Sequence, residues 1–157
     1  FGSKMFGETV VGPEVKGDVL DVGCGYGPIG LSIAASFPDR KIHMVDVNER
    51  ALSLSTKNAE NNNISNVEIY SSNALADVTD TEFSAILTNP PIRAGKKTVF
   101  SFYEGAFSKL QVGGELWVVI QKKQGAPSTI QHLEKLFDNA ETIVKKKGYH
   151  IIKAIKL

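Results

Sequence analysis

Four short clusters in this sequence combine residue types and spacings suited to holding a small molecule and reacting it. Asp21-Val22-Gly23-Cys24-Gly25-Tyr26-Gly27-Pro28-Ile29-Gly30 follows the apolar pair Val19-Leu20. Its glycines allow backbone angles and a close ligand approach that a Cβ would block, and Pro28 suits the first turn of a helix. A helix starting there points free N–H groups and partial positive charge at whatever lies over the turn. Asp46 ends a second apolar run, Asn73-Ala74 follow a third, and Asn89-Pro90-Pro91-Ile92 follow a fourth. A carboxylate offers two acceptor oxygens, so Asp46 can take both hydroxyls of a ribose, with Asn48 near enough to assist. Prolines directly after a buried strand lack N–H donors and restrict the preceding backbone, which fixes a rigid exit. The Asn89 side-chain oxygen and the Pro90 carbonyl could then grip both hydrogens of a planar amine.

Such groups meet in one crevice only if the elements between them alternate. A strand through Val19–Val22 leads into the glycine turn, and Ile29, Leu31, Ile33, Ala34, Ala35 and Phe37 read as a mostly buried helix stopped by Pro38-Asp39. Residues 41–47 form a second strand; Asn48 caps the next helix, with Glu49 favouring its first turn, and Asn61-Asn62-Asn63 end it. Strands follow at 67–70 and 83–88, a helix with an aromatic core face at 98–110, a strand at 115–120 and a helix at 127–137. Residues 141–146 and 149–157 flank Gly148 as a hairpin. This order predicts an α/β fold with a doubly wound, mostly parallel seven-stranded sheet, closed by an antiparallel terminal strand, with ligands over the carboxyl ends of the strands.

Composition narrows the classes. A chain of 157 residues with 42% hydrophobic residues supports one core, so residues 1–157 are expected to form a single domain. The opening Phe1-Gly2-Ser3-Lys4-Met5-Phe6 reads as the interior of a longer chain. The net charge of +1 announces no general affinity for nucleic acid, but lysines crowd the segment after Gln121 whereas residues 39–86 carry an acidic excess. That basic end fits either phosphate contact or a solvated edge. Cys24 is the sole cysteine, so no internal disulfide forms, and no His spacing pairs with it for nucleophilic work. No apolar run spans a bilayer and no signal peptide precedes the fold, so a cytoplasmic location is expected, with neither membrane nor metal involved.

Two ligand classes compete for the glycine turn. Gly25-Tyr26-Gly27-Pro28-Ile29-Gly30 satisfies the dinucleotide pattern G-x-G-x-x-G with Asp46 at a suitable distance. The register Asp21-x-Gly23-x-Gly25-x-Gly27 instead resembles the first motif of class I S-adenosylmethionine (AdoMet) methyltransferases. A dinucleotide gives Asp21 no task, whereas the amino-acid end of AdoMet offers it an ammonium. Asn89-Pro90-Pro91 is similar to the amine-methylating motif of adenine-N6, cytosine-N4 and glutamine-N5 methyltransferases, whose fourth residue is aromatic; here it is Ile92. The longer string Asn89-Pro90-Pro91-Ile92-Arg93-Ala94-Gly95-Lys96, with the glycine turn and Phe1-Gly2-Ser3-Lys4, resembles the catalytic domain of bacterial small-subunit ribosomal RNA guanine-N2 methyltransferases.

The resemblance implies AdoMet as cofactor, held by Asp21, Gly23, Cys24, Gly25 and Gly27, by Asp46 and Val47 at the ribose, and by Asn73 and Ala74 at the adenine. It implies that Asn89 and Pro90 orient the exocyclic amine of guanine in ribosomal RNA or the small ribosomal subunit. Pro91 and Ile92 would pack on the base, and Arg93, Lys96 or Lys97 would contact phosphate. A segment before the first strand, residues 1–13, would cover the ligand as a helix. The chain keeps the glycines, Asp46 and Asn89, and so resembles an active copy. Three other readings stay open at this point: an AdoMet-dependent methyltransferase of protein glutamine or DNA adenine, a nicotinamide oxidoreductase, and a degenerate RNA-binding domain.

Overall fold

A computed structural model describes residues 14–90 and 92–157 of the chain. The expected N-terminal helix and Pro91 lie outside the described residues, as does the side chain of Ile92. β1 (Val19–Val22), β2 (Ile42–Asp46), β3 (Val67–Ser71), β4 (Phe83–Thr88), β5 (Leu110–Gln121), β6 (Glu141–Lys146) and β7 (Tyr149–Ile155) form one sheet in the order β3-β2-β1-β4-β5-β7-β6. β1 to β5 pair in parallel, and β7 enters antiparallel between β5 and β6. This is the predicted mostly parallel sheet with its antiparallel terminal strand, the Rossmann-like methyltransferase fold.

Helices α1 (Pro28–Ser36), α2 (Glu49–Asn61), α3 (Lys96–Lys109) and α4 (Ala126–Phe137) cover both faces. β1 and β4 are buried along their whole length, as central parallel strands must be when helices cover both faces. Successive side chains therefore feed two cores. Leu20, Val45, Ile86, Leu116 and Ile152 pack with Tyr103, Leu133 and Phe137 of α3 and α4. Val19, Met44, Leu87, Trp117 and Ile151 pack with Leu31, Ala34 and Leu52 of α1 and α2. The Tyr103 hydroxyl and Thr129 Oγ1 lie 3.1 Å apart in the first layer, linking α3 to α4.

Local chemistry sets the element ends. Asn48 caps α2 as expected, its side-chain oxygen accepting the Ala51 N–H at 3.1 Å, with Glu49 in the first turn. β5 begins at Leu110, five residues ahead of the sequence expectation, and α3 begins at Lys96 rather than Thr98. The register with β4 shifts between Phe83 and Ala85, which lets Gln111-Val112-Gly113-Gly114 be absorbed into the strand instead of breaking it. Gly114 has no room for a Cβ, which would sit 2.8 Å from the Gln111 carbonyl oxygen.

Candidate active site

The glycine turn leaves β1 held from two sides. The Gly23 and Cys24 amides both donate to the Val45 carbonyl at 2.9 Å, tying the turn to β2. From α2, Ser55 Oγ donates to the Gly25 carbonyl at 2.7 Å and Asn58 Nδ2 to the Tyr26 carbonyl at 3.0 Å. Gly23 and Gly25 adopt φ of 75° and 58°, and a Cβ at either would meet nothing within 4 Å, so the space over the turn is open to a ligand. Gly27 forms the N-cap of α1 without a side-chain cap; Pro28 has no N–H and the Gly30 amide is turned to Asp21, so the first turn is largely answered from within. Gly30 serves packing instead: a Cβ there would lie 2.8 Å from Met44 Sδ and 2.9 Å from Asp21 Oδ2. The last glycine of the apparent dinucleotide fingerprint is therefore explained by close contact of α1 with β1 and β2.

Asp46 stands at the carboxyl end of β2 with both oxygens engaged by backbone. Oδ2 accepts the Gly25 amide and Oδ1 the Asn48 amide, each at 2.9 Å. An ionised carboxylate has about four lone-pair sites, so each oxygen keeps capacity for one more donor. The loop after β3 is built around buried Ser72, whose hydroxyl donates to the Ala74 carbonyl at 2.7 Å and accepts the Asp77 amide at 3.1 Å. Ala74 sits at φ 50°, and Asn73 and Ala74 are thereby turned outward, both exposed.

Asp21 is 3% exposed, and its Oδ2 has no hydrogen-bond partner. Burial pushes its carboxyl up to about 7, the Gly30 amide opposing and the Asp46 charge adding to the rise. A buried carboxylate with one oxygen unpartnered keeps capacity for a further donor or a cation. Burial, then the charges of Asp21 and Asp46, push the Cys24 thiol up to about 12, the opposite of what a nucleophile needs.

At the carboxyl end of β4, Thr88 is buried, Asn89 emerges exposed and Pro90 is buried again. Among the described residues the Asn89 side chain has no hydrogen-bond partner. A cavity of about 210 Å³ lies between the strand ends, lined by Val22, Gly23, Asp46, Val47, Ser72, Asn73, Ala74, Thr88, Asn89 and Phe102. It gathers Gly23, Asp46, Val47, Asn73, Ala74 and Asn89 of the residues expected from sequence. Asp21, Cys24, Gly25, Gly27 and Pro90 do not line it, and exposed Arg93 and Lys96 follow the exit from β4. Sequence reasoning missed Ser72 and Phe102. Phe102 was assigned to the core, which holds, but it also forms a wall of this cavity.

Other hollows differ in kind. A shallow groove of about 460 Å³ continues from the crevice past Ala76 to Lys97, Ser101 and Gly105. A larger one, about 660 Å³, opens at the amino edge between residues 16–18 and 36–41 and holds none of the expected site residues. At that edge Asp18, buried His43 and Asp80 bring one possible metal-ligand atom each within 4.8 Å of one another, a grouping the sequence gave no sign of. His43 Nε2 is 2.8 Å from Asp18 Oδ2, and Nδ1 is 3.1 Å from the Tyr70 hydroxyl, so the imidazole is already satisfied within the protein.

Against known proteins, a family model described as methyltransferase small domain matches residues 1–153. The chain belongs to that family. Its members take their methyl group from S-adenosylmethionine. YbxB of Bacillus subtilis (strain 168), described as uncharacterized, is 58% identical over 158 residues, covering 100% of this chain and 79% of that protein. Ribosomal RNA small subunit methyltransferase C of Erwinia tasmaniensis is 30% identical over 159 residues, covering 99% of this chain; the chain spans 45% of that protein's length. Among solved structures, the T. thermophilus 16S rRNA guanine-N2 methyltransferase RsmC, in complex with AdoMet and guanosine, superposes with a TM-score of 0.75 at 25% identity, covering 89% of this chain and 37% of that one.

The residues present fit the family's cofactor on the structure's own terms. The unpaired Asp21 oxygen, the open turn at Gly23 and Gly25, and the Asp46 carboxylate on the cavity wall are the chemistry that a ligand with an ammonium and a ribose calls for. The nicotinamide reading does not survive, because it leaves Asp21 and the Asn89-Pro90 exit without use.

Proposed function

We propose that the protein transfers a methyl group from AdoMet to the exocyclic N2 amine of a guanine in small-subunit ribosomal RNA. The observation that carries this reading is Asn89, an unpartnered, exposed amide at the end of an otherwise fully buried strand, on the wall of the crevice. In this reading Asp21 holds the ammonium, Asp46 the ribose hydroxyls, and Asn73 and Ala74 the adenine edge, with Val47 against the ribose. When bound, the cofactor supplies a methyl carbon already activated by a sulfonium. Asn89 and the Pro90 carbonyl accept the two amine hydrogens, which localises the nitrogen lone pair and aims it along the line of attack. The proton is lost at the exposed mouth beside Asn89. Alignment of this kind is worth ~7–11 kcal/mol, so no further acid or base is required. A target base enters the crevice unstacked from its neighbours.

RNA as the acceptor is supported by the ribosomal RNA methyltransferases of Erwinia tasmaniensis and T. thermophilus among the relatives, both of them longer than this chain. The test is transfer of labelled methyl to small ribosomal subunits, naked small-subunit RNA, duplex DNA and a release-factor-like protein. N2-methylguanosine in the RNA digest, lost in Asn89→Ala, is the expected result. Label in DNA or protein instead overturns the substrate, and undiminished transfer by Asn89→Ala overturns the mechanism.

A further inference from the structure

The carboxyl edge of the sheet continues beyond the crevice, and its charge changes sign along the way. On the cofactor side stand Asp46, Glu49 and Asp77, with the cation Arg50 beside them. On the other side, going outward from β4, come Lys96 and Lys97 at the start of α3, Lys122 and Lys123 after β5, and Lys145 and Lys146 at the end of β6. All six are exposed, and among the described residues none is in an ion pair.

These lysines form one path. Lys97 borders the groove that runs out of the crevice past Asn73 and Phe102. Lys96 lines a small hollow of about 60 Å³ with Gln124 and Gly125, directly after Lys122 and Lys123. The Lys122 amide donates to the Gly148 carbonyl at 2.8 Å, joining that turn to the β6–β7 hairpin. On β7, burial first and then the nearby Lys145 and Lys122 charges hold the His150 imidazole below its usual range, so both cations bear on one point. Three strand spacings separate β4 from β6, a distance of about 14 Å along the edge.

Stability does not account for the arrangement. Lysines on an edge strand deter pairing with other chains, which covers Lys145 and Lys146 on β6 but not the other four. α3 and α4 both open at this edge from a glycine N-cap, with no side-chain cap and no acidic residue in the first turn. Cations at a helix N-terminus oppose its dipole, where acids would stabilise. Three lysines elsewhere are occupied, Lys41 pairing with Glu68 at 2.8 Å, Lys109 donating to the Val78 carbonyl and Lys156 to those of Phe107 and Leu110, while Lys57 and Lys135 stand apart from one another on α2 and α4.

We infer that this lysine edge, from Lys97 through Lys122 and Lys123 to Lys145 and Lys146, is the track on which the phosphates of single-stranded RNA flanking the target base are held. The inference rests on the proposed RNA substrate and adds where the strand runs: from the crevice across β5 toward β6, not over α2, where Glu49 and Glu60 balance Arg50 and Lys57. A positive groove follows a sugar–phosphate backbone without reading sequence, so the base is chosen in the crevice and the strand is retained on the edge.

The test compares Lys122→Gln/Lys123→Gln and Lys145→Gln/Lys146→Gln with the charge-matched control Lys57→Gln/Lys135→Gln, which lies on α2 and at the opposite end of α4. Affinity for an end-labelled single-stranded RNA oligonucleotide, for duplex DNA of the same length and for small-subunit ribosomal RNA is measured across a salt series, with AdoMet affinity alongside as the check on folding. Each edge pair is expected to weaken RNA binding at least ~5-fold, to lower the slope of log affinity against log salt by roughly 0.7 per contacting lysine, and to leave AdoMet binding unchanged. Wild-type affinity and slope in both edge pairs, or equal loss in the control, overturns the track while leaving the proposed function standing. Preference for duplex DNA over single-stranded RNA overturns the partner. Absence of RNA binding and RNA methylation in the unaltered protein overturns both readings.

Discussion

Asp46 Oδ2 accepts the Gly25 amide at 2.9 Å, so the carboxylate proposed to meet the ribose also fixes the glycine turn after β1. Binding and local order are joined in one side chain. Asp46→Ala removes this bond and the one to the Asn48 amide, each a charge-assisted contact worth about 1.5–3 kcal/mol at most and less here because Asp46 is partly exposed. Thermal unfolding of Asp46→Ala is expected at a lower midpoint, and calorimetry is expected to show AdoMet affinity reduced by ~100-fold or more. Asp46→Asn, which keeps one oxygen, should fall between the two.

Asn89 gives the opposite pattern. Its side chain has no partner among the described residues and is exposed, so Asn89→Ala should change stability by no more than about 0.5 kcal/mol. AdoMet affinity should also be retained, while kcat falls at least ~100-fold through lost alignment of the amine. A parallel loss of cofactor affinity would show that Asn89 acts on the wrong ligand for the proposed mechanism.

The buried Asp21 makes the cofactor-free protein pH-sensitive in a defined direction. Its carboxyl lies at about 7 in the folded chain against an ordinary 3.8, so the folded state binds the extra proton between those values. Stability from this group is greatest below about pH 4 and declines as pH rises to about 7, by at most on the order of 4 kcal/mol. Asp21→Asn, neutral throughout, should remove that decline in melting curves recorded across the window. The ammonium of AdoMet favours the ionised carboxylate, so wild-type affinity should rise with pH up to about 7 and binding should release a proton, seen as a buffer-dependent heat.

Gly30 and Met44 should prove coupled. Gly30→Ala drives a Cβ to 2.8 Å from the fully buried Met44 thioether, an overpacking cost of about 1–3 kcal/mol. In Gly30→Ala/Met44→Ala the same methyl enters vacated space, so denaturant unfolding should show a combined loss smaller than the sum of the singles.

The parts of the site legible in sequence are those with a local signature. Asp46 and Asn89 each close an apolar run, the glycines mark the turn, and Asn48 precedes Glu49 as a cap should; each lies where its strand or helix ends. What stayed hidden depends on contact across distance. Ser55 and Asn58 steady the glycine turn from about thirty residues away, in a helix where they read as ordinary polar positions. Phe102 has the spacing of a core residue and is one, so nothing in the pattern separated its second face on the crevice. Gly30 matched a ligand-binding fingerprint because close helix packing and close ligand approach both ask for a missing Cβ.

The insertion of β7 between β5 and β6 has a consequence for the order of assembly. β5 carries seven consecutive buried residues from Gly114 to Ile120, and its outer side is completed by a strand that emerges from the ribosome after β6. Until residues 149–155 have been synthesised, the nascent sheet ends in an open apolar strand, and β6 has nothing to pair with but the strand still to come. Translation of this short stretch therefore separates a chain prone to associate with its neighbours from one that is sealed.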